Sequence, residues 1–440
     1  MRRTTGRVRS LALVGAVAVA LTSLTTACGS GSDDGRVTLK VWDPGLLGHT
    51  VDGKPDPKRS FIHRAAAAYE KSHPKVTIKI SETSGDISAS SNQFRAASMA
   101  RNGPDLRIGF TGGNTLSFSH FLEPLNQVFS PAERAKLRGW RTVTENYSAK
   151  GNILALPYGA GSYFYVFYNK KLLSRAHVDL STPPSTWEDM LAVGKKVKAA
   201  GINPFWTTNQ EGYVGAWVVA ALVGGELGAN AFTDMYAGKT SIDNPAMVKA
   251  YRAFAQLYSE GLTNKDAGSV ANGQALSGFV QGKGAMMISG GWNNHDIDKA
   301  LGDDVGAFPV PTLAGAAHPG ILAGGPNVAV SVTSYTEHKE EANAFLKYLA
   351  QPKVIDQYVE LSQTEASNST DADASVITNP LLKQQAAAVK KSEAVFPFDN
   401  VMPQSVIDGF YRLNATVLTG QTSPQSAAKQ LAADLKQDPK

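Results

Sequence analysis

The sequence predicts an α/β protein with room for two sizeable lobes. Strand-like and helix-like periods alternate from Val37 to Phe110, and the 440 residues exceed what one domain of about 100–200 residues uses. Beyond the N-terminal leader, no stretch is apolar enough to cross a membrane, so the remainder reads as a globular body.

Val37, Leu39 and Val41 alternate with polar residues as in a strand. Ser60 then precedes a helix whose apolar positions Phe61, Ile62, Ala65, Ala66 and Tyr69 share one face before Pro74. Val76, Ile78 and Ile80 alternate as a second strand. A helical stretch around Phe94–Met99 stops at Asn102-Gly103-Pro104, and Leu106–Phe110 is a third strand. Strand–helix–strand–helix–strand implies parallel pairing with right-handed crossovers, and ligands gather at the carboxyl ends of such strands. Trp42-Asp43 and Thr111-Gly112-Gly113-Asn114 are both expected on that rim.

A second unit opens with the β-prone run Tyr163–Tyr168, after which Asn169 starts a short helix. In Pro183-Pro184-Ser185-Thr186-Trp187-Glu188-Asp189, Thr186 is placed to cap the amide three residues on, with Asp189 reaching back. That helix is expected to run to Ala200 and end at Gly201. Further helical patterns cover Trp217–Leu222, Pro245–Tyr258, Glu340–Leu349, Val354–Leu361 and Val406–Leu418.

The N-terminus has a separate logic. Arg2, Arg3, Arg7 and Arg9 precede an apolar stretch from Leu11 to Leu24, followed by small residues up to Cys28, the only cysteine. A positive head, a short apolar middle and a small-residue cut zone make a secretory signal. Leu24-Thr25-Thr26-Ala27-Cys28 resembles a bacterial lipobox, with leucine one place further from the cysteine than usual; the resemblance implies a diacylglyceryl thioether on Cys28. Residues 1–27 are thus a leader, and 28–35, rich in Gly, Ser and Asp, a flexible tether. The four leader arginines account for all but about +1 of the formal charge of +5, so nothing marks a nucleic-acid partner. With Cys28 lipidated, no thiol remains for a disulfide or a thiolate metal site.

Catalytic signatures are missing. Met287 stands where a G-x-S-x-G elbow around Ser289 needs glycine, and neither Gly238-Lys239-Thr240 nor Gly282-Lys283-Gly284 completes a P-loop. No H-x-x-x-H pair exists, and Asp371-Ala372-Asp373 begins like a calcium loop without the later glycine and glutamate. The reading is a non-enzyme with no cofactor, no metal and no catalytic residue. A surface glycan-active enzyme and a structural lipoprotein are the alternatives.

Aromatic and polar residues in loops suggest ligand binding. Sugars offer an apolar ring face and a belt of hydroxyls, which suit indole platforms beside carboxylates and amides. A tryptophan is ordinarily a core residue, and that is the expectation for Trp217 in its apolar helix and for Trp187 in a first helical turn. Trp292, between Gly-Gly and Asn-Asn, is expected to contact ligand.

Several of these runs share a resemblance. Leu156-Pro157-Tyr158-Gly159 with Phe167-Tyr168-Asn169-Lys170, and the run Pro184–Glu188, resemble the extracellular solute-binding proteins of sugar ABC importers. So do Gly282–Trp292, Ala323–Ser331 and Phe398–Pro403, in the family's order. The resemblance implies a two-lobed, periplasmic-binding-protein-like (type II) fold with hinge strands between the lobes. It implies crossings near Gly161–Tyr165, Val310–Thr312 and Ala350–Lys353. Lobe one would hold residues 36–162 and 311–350, and lobe two 163–310 and 351–440. Trp42, Asp43 and Asn114 would face the cleft from lobe one. Tyr158, Tyr163, Glu211, Tyr213, Trp292 and Asp399 would line it from the hinge and lobe two, with Asn327 on the return strand. The function implied is that of a monomeric, lipid-anchored component at the outer face of the membrane, passing a sugar or oligosaccharide to a permease. A peptide or polyamine ligand is the alternative, with Asp43, Glu211 and Asp399 as carboxylates for an amine.

Overall fold

The computed structural model describes residues 35–48, 50–51, 54–55, 60–85 and 87–438. The leader and Cys28 lie outside these residues, as does the tether up to Asp34. The chain divides into Met1–Arg36 and Val37–Lys440, and the fold described is that of the second unit.

Two five-stranded sheets organise it. The first contains β1 (Val37–Asp43), β2 (Val76–Glu82), β3 (Leu106–Phe110) and β4 (Leu156–Tyr158). The second contains β5 (Ser162–Asn169), β6 (Met286–Gly290), β7 (Val305–Pro309) and β8 (Leu322–Gly325). β9 (Val328–Val332) returns to the first sheet, and β10 (Ala394–Val395) joins the second.

In the first sheet the order is β2-β1-β3-β9-β4. β1 is parallel to β2 and β3, as the alternation of periods predicts, whereas β9 is antiparallel to β3 and β4. The pleat sends Leu39 and Val41 into one cluster with Phe61 and Ile62 of the Phe61–Ser72 helix. Burying each such side chain contributes roughly 1.5–3 kcal/mol. Trp42, one residue out of phase, goes to a separate cluster with Phe94 and Phe118.

In the second sheet β5 is central, with β6, β7 and β8 antiparallel to it. Phe164 and Val166 enter one core while Tyr163, Tyr165 and Phe167 enter another, so both faces are covered. The Tyr213–Leu227 helix is apolar all round because it is packed on all sides. Thr186 does accept the Asp189 amide, at 3.1 Å, but the Asp189 carboxylate takes the Ser185 hydroxyl instead of closing a capping box. The helix ends at Ala199, and Gly201 follows with φ +73°.

Strand pairing moves two of the expected crossings. β8 pairs with β5, so residues 322–325 belong to the second sheet, and the chain returns at Gly325-Pro326-Asn327 rather than at Val310–Thr312. Val310 stays in the second lobe's core, and Thr312 forms a bridge to Thr186. Gly324 and Gly325 adopt φ +148° and +150°, and a Cβ at Gly324 would collide with Ser162 and Tyr163. The third crossing is also later. The Pro352–Ser362 helix keeps Val354, Ile355, Tyr358 and Val359 in the first lobe's cluster. Ser369 then bridges to Leu137, and Ile377 joins the same cluster. The chain therefore leaves around residues 378–380, where Asn379 bonds to Asn294, rather than at Ala350–Lys353.

Candidate functional site

A cavity of about 240 Å³ opens between the lobes. One wall is Leu46, Leu47, Gly48 and Phe61 together with Tyr358, Leu361, Ser362 and Thr364; the other is Trp292, His295 and Asp296.

The first wall is shaped by a buried carboxylate. Asp43 ends β1 with no exposed surface, and its Oδ1 accepts the amides of Gly45 at 3.0 Å and Leu46 at 2.8 Å. Its Oδ2 accepts the Leu47 amide at 3.2 Å. Burial pushes the Asp43 pKa up to about 6, against the lowering by these amides. Asp43 therefore folds the loop that presents Leu46–Gly48, and its own carboxylate is not among the residues lining the cavity.

The second wall depends on Trp292. This residue sits in the short turn Gly291–Asn293, half-buried, with a face of its neighbourhood open to the cavity. Its indole lies against Gly290, where a Cβ would collide with the six-membered ring. Trp217 meets it edge-on at 5.5 Å and 89°, and Tyr213 and Phe164 stand at 5.9 Å and 5.8 Å. The following asparagines fix the turn. Asn293 Nδ2 donates to Ser289 Oγ at 2.8 Å, and Asn294 exchanges two hydrogen bonds with Gln385, at 2.6 and 2.9 Å. His295 and Asp296 then stand in the first turns of Asn294–Leu301, beside the indole.

Asp399 supports this aromatic group from behind. Its Oδ2 accepts from Trp217 Nε1 at 2.9 Å and from the Tyr411 hydroxyl at 2.8 Å. Oδ1 is buried without a hydrogen-bond partner among the described residues. Desolvation holds its pKa at about 6 despite the Tyr411 and Trp217 donors.

The expected site residues thus divide. Trp292, Tyr213 and Asp399 are brought together, and of these Trp292 lines the cavity. Four make contacts within lobe one and are not among the residues lining the cavity. Trp42 packs with Phe94 and Phe118, and Asp43 holds its own loop. Asn114 accepts from Arg107 at 2.7 Å and donates to Ser91 at 3.1 Å. Tyr158 is fully buried, its hydroxyl donating to Leu349 O at 3.2 Å. Glu211 is exposed and accepts the Asn272 amide at 3.0 Å, away from the cavity lining. Tyr163 lines a smaller hinge cavity, where burial and then the Glu365 charge push its pKa up to about 12. Asn327 lies on the second crossing, with Oδ1 buried and no partner among the described residues. His295, Asp296, Tyr358, Ser362 and Thr364 were missed. The polar run Asn293–Asp296 directly after Trp292 was a signal for the first two; the others come from the Pro352–Ser362 helix and the residues just after it, where no local signal marks the cavity.

A family model for the bacterial extracellular solute-binding proteins matches residues 54–355. The chain belongs to that family. Among curated solute-binding relatives, the sn-glycerol-3-phosphate-binding periplasmic protein of Brucella abortus is 27% identical over 210 residues, 46% of each chain. An uncharacterized ABC transporter extracellular-binding protein of Pyrococcus horikoshii is 23% identical over 254 residues, 56% of each chain. The chain spans about half the length of the curated relatives it matches. A solved structure concerned with xylan utilization by the thermophilic bacterium Caldanaerobius polysaccharolyticus superposes with a TM-score of 0.77 at 23% identity, covering 91% of this chain and 100% of that one. The maltose/maltodextrin-binding domain from Bdellovibrio bacteriovorus, bound to maltotriose, gives 0.68 at 20% identity, covering 91% and 99%. These likenesses establish the two-lobed α/β fold of the solute-binding family.

Proposed function

We propose that this solute-binding protein captures a sugar or oligosaccharide between its lobes and delivers it to the permease of an ABC importer. In this reading it is a monomer anchored through lipidated Cys28 on the outer face of the membrane, and it performs no catalysis. The observation that carries the reading is the half-buried Trp292 beside Asp296 and His295, facing the Leu46–Gly48 and Phe61 wall across an interlobe cavity. An indole takes the apolar face of a sugar ring, and a carboxylate accepts hydrogen bonds from paired hydroxyls. The described lining residues include the carboxylate of Asp296 and no lysine or arginine, which favours a hydroxyl-rich ligand over a phosphate.

Calorimetric titration against a panel of oligosaccharides, with sn-glycerol 3-phosphate as a separate arm, tests this. Saturable binding of an unchanged sugar is expected. Release of reducing ends would establish the glycan-active alternative instead, and binding of the phosphate alone would overturn the sugar reading. The second reading is a polyamine or peptide amine, favoured by Asp296, the carboxylate on the cavity wall beside the Trp292 indole. Spermidine in the same panel distinguishes it.

A further inference from the structure

The first crossing is packed against one buried acid of lobe one. Glu365, which follows the Pro352–Ser362 helix on lobe one, is 4% exposed. Its Oε2 accepts the Gly161 amide of the first crossing at 2.5 Å, and its Oε1 accepts the hydroxyl of Tyr358 from lobe one at 2.5 Å. Gly159 and Gly161 have φ +69° and +86°, and a Cβ on Gly159 would run into the Glu365 carboxylate. A Cβ on Gly161 would collide with the Gly325 carbonyl of the second crossing. The first crossing therefore runs between Glu365 and Gly325, and only glycine leaves it room.

The same point touches the ligand cavity. Thr364, the preceding residue, lines that cavity, and its carbonyl accepts from Asn294 in the helix that follows Trp292. Beside Glu365 lies a second cavity of about 20 Å³, lined by Tyr163, Tyr165, Gly291 and Gln385 among others. That is room for about one water. The Tyr165 hydroxyl is buried there without a partner among the described residues.

We propose that Glu365 is a positioning residue of the hinge, a proton-dependent latch that ties the first crossing to lobe one and makes cleft closure depend on pH. The groups that face it are tyrosines: Tyr358 from the Pro352–Ser362 helix, Tyr158 from β4 and Tyr163 from β5. Further out, Asp356 acts on Tyr158 and Arg138 on Tyr163. Desolvation dominates at Glu365 and pushes its pKa up to about 7, while the Tyr358 and Gly161 donors only partly oppose it. Opening the hinge admits water, and the acid then relaxes toward the ordinary value of about 4.3. The tight conformer thus holds the extra proton. Its advantage is full below about 4.3 and is lost as pH rises through about 7.

The latch rests on the capture reading only in that the lobes move about these crossings, so its test uses no ligand. Small-angle X-ray scattering of the protein is measured from pH 5 to pH 8.5. The radius of gyration is expected to grow with pH, with a midpoint near 7. Glu365→Gln, which mimics the protonated acid, is expected to stay compact throughout. Tyr358→Phe removes a donor that lowers the Glu365 pKa and is expected to move the midpoint to higher pH. A flat wild-type profile, or a transition that persists in Glu365→Gln, overturns the proposal. Should Glu365→Gln fail to fold, Tyr358→Phe decides: an unmoved midpoint overturns it. Loss of sugar binding in the separate titration leaves this result untouched.

Discussion

The Trp217 indole donates to Asp399 Oδ2 at 2.9 Å, joining residues 182 positions apart in the chain. The bond turns a helical tryptophan into a fixed edge for Trp292, which meets it at 89°. The aromatic wall of the cavity is therefore held from a carboxylate that does not line it.

Asp399→Ala leaves two donors, Trp217 Nε1 and the Tyr411 hydroxyl, without their acceptor. Each unsatisfied buried donor costs about 1–3 kcal/mol. Urea unfolding should show a loss of at least about 2 kcal/mol, and Asp399→Asn, which keeps one acceptor oxygen, a smaller loss.

Trp292→Ala removes the aromatic surface of the second wall, against which the proposed function places the sugar. Affinity for the best sugar in the panel should fall at least about tenfold, or about 1.4 kcal/mol. The melting temperature should fall much less than for Trp187→Ala, because Trp187 is fully buried and Trp292 only half so. Retained affinity would displace the site from this cavity.

Asp296→Asn tests the polar side of the same wall. Asp296 is exposed, so thermal unfolding should barely change. A charge-assisted hydrogen bond to ligand contributes roughly 1.5–3 kcal/mol, so calorimetry should show about tenfold weaker sugar binding or more.

Stability should increase on mild acidification. Asp43 and Asp399 hold their protons up to about pH 6 in the folded chain and release them near the ordinary value of about 3.9 when unfolded. The folded state binds more protons within that window, so its stability falls as pH rises through it. Scanning calorimetry should find a melting temperature about 3 °C higher at pH 5 than at pH 7.5. Asp43→Asn should flatten part of that dependence.

Gly161→Ala and Gly238→Ala separate crowding from backbone strain. Both glycines have positive φ, +86° and +73°, but only Gly161 faces the Gly325 carbonyl, while Gly238 has open space. Gly238→Ala should cost about 1–2 kcal/mol for its backbone alone. Gly161→Ala should cost clearly more by urea unfolding and should loosen the hinge.

Local pattern determined a good deal by itself. Alternation in β1, β2 and β3 with the intervening helices predicted a parallel βαβαβ unit, because period reports which face is buried before any partner is known. The Gly-Gly and Asn-Asn flanks of Trp292 predicted a loop tryptophan, and a short turn at the cavity is what the structure contains. Tertiary packing decided the rest. Trp42 and Asp43 stand at the rim of β1, but the pleat and the amides of Gly45–Leu47 direct them inward. Val310-Pro311 read as the end of a lobe, yet β8 still pairs with β5 beyond it. The cavity walls come from residues 46–48, 61, 292–296 and 358–364, segments with no local sign of one another. Buried acids such as Glu365 and Asp399 follow the same rule. Side-chain chemistry gives an acid its ordinary pKa, but only the folded surroundings determine whether water reaches it and which donors remain.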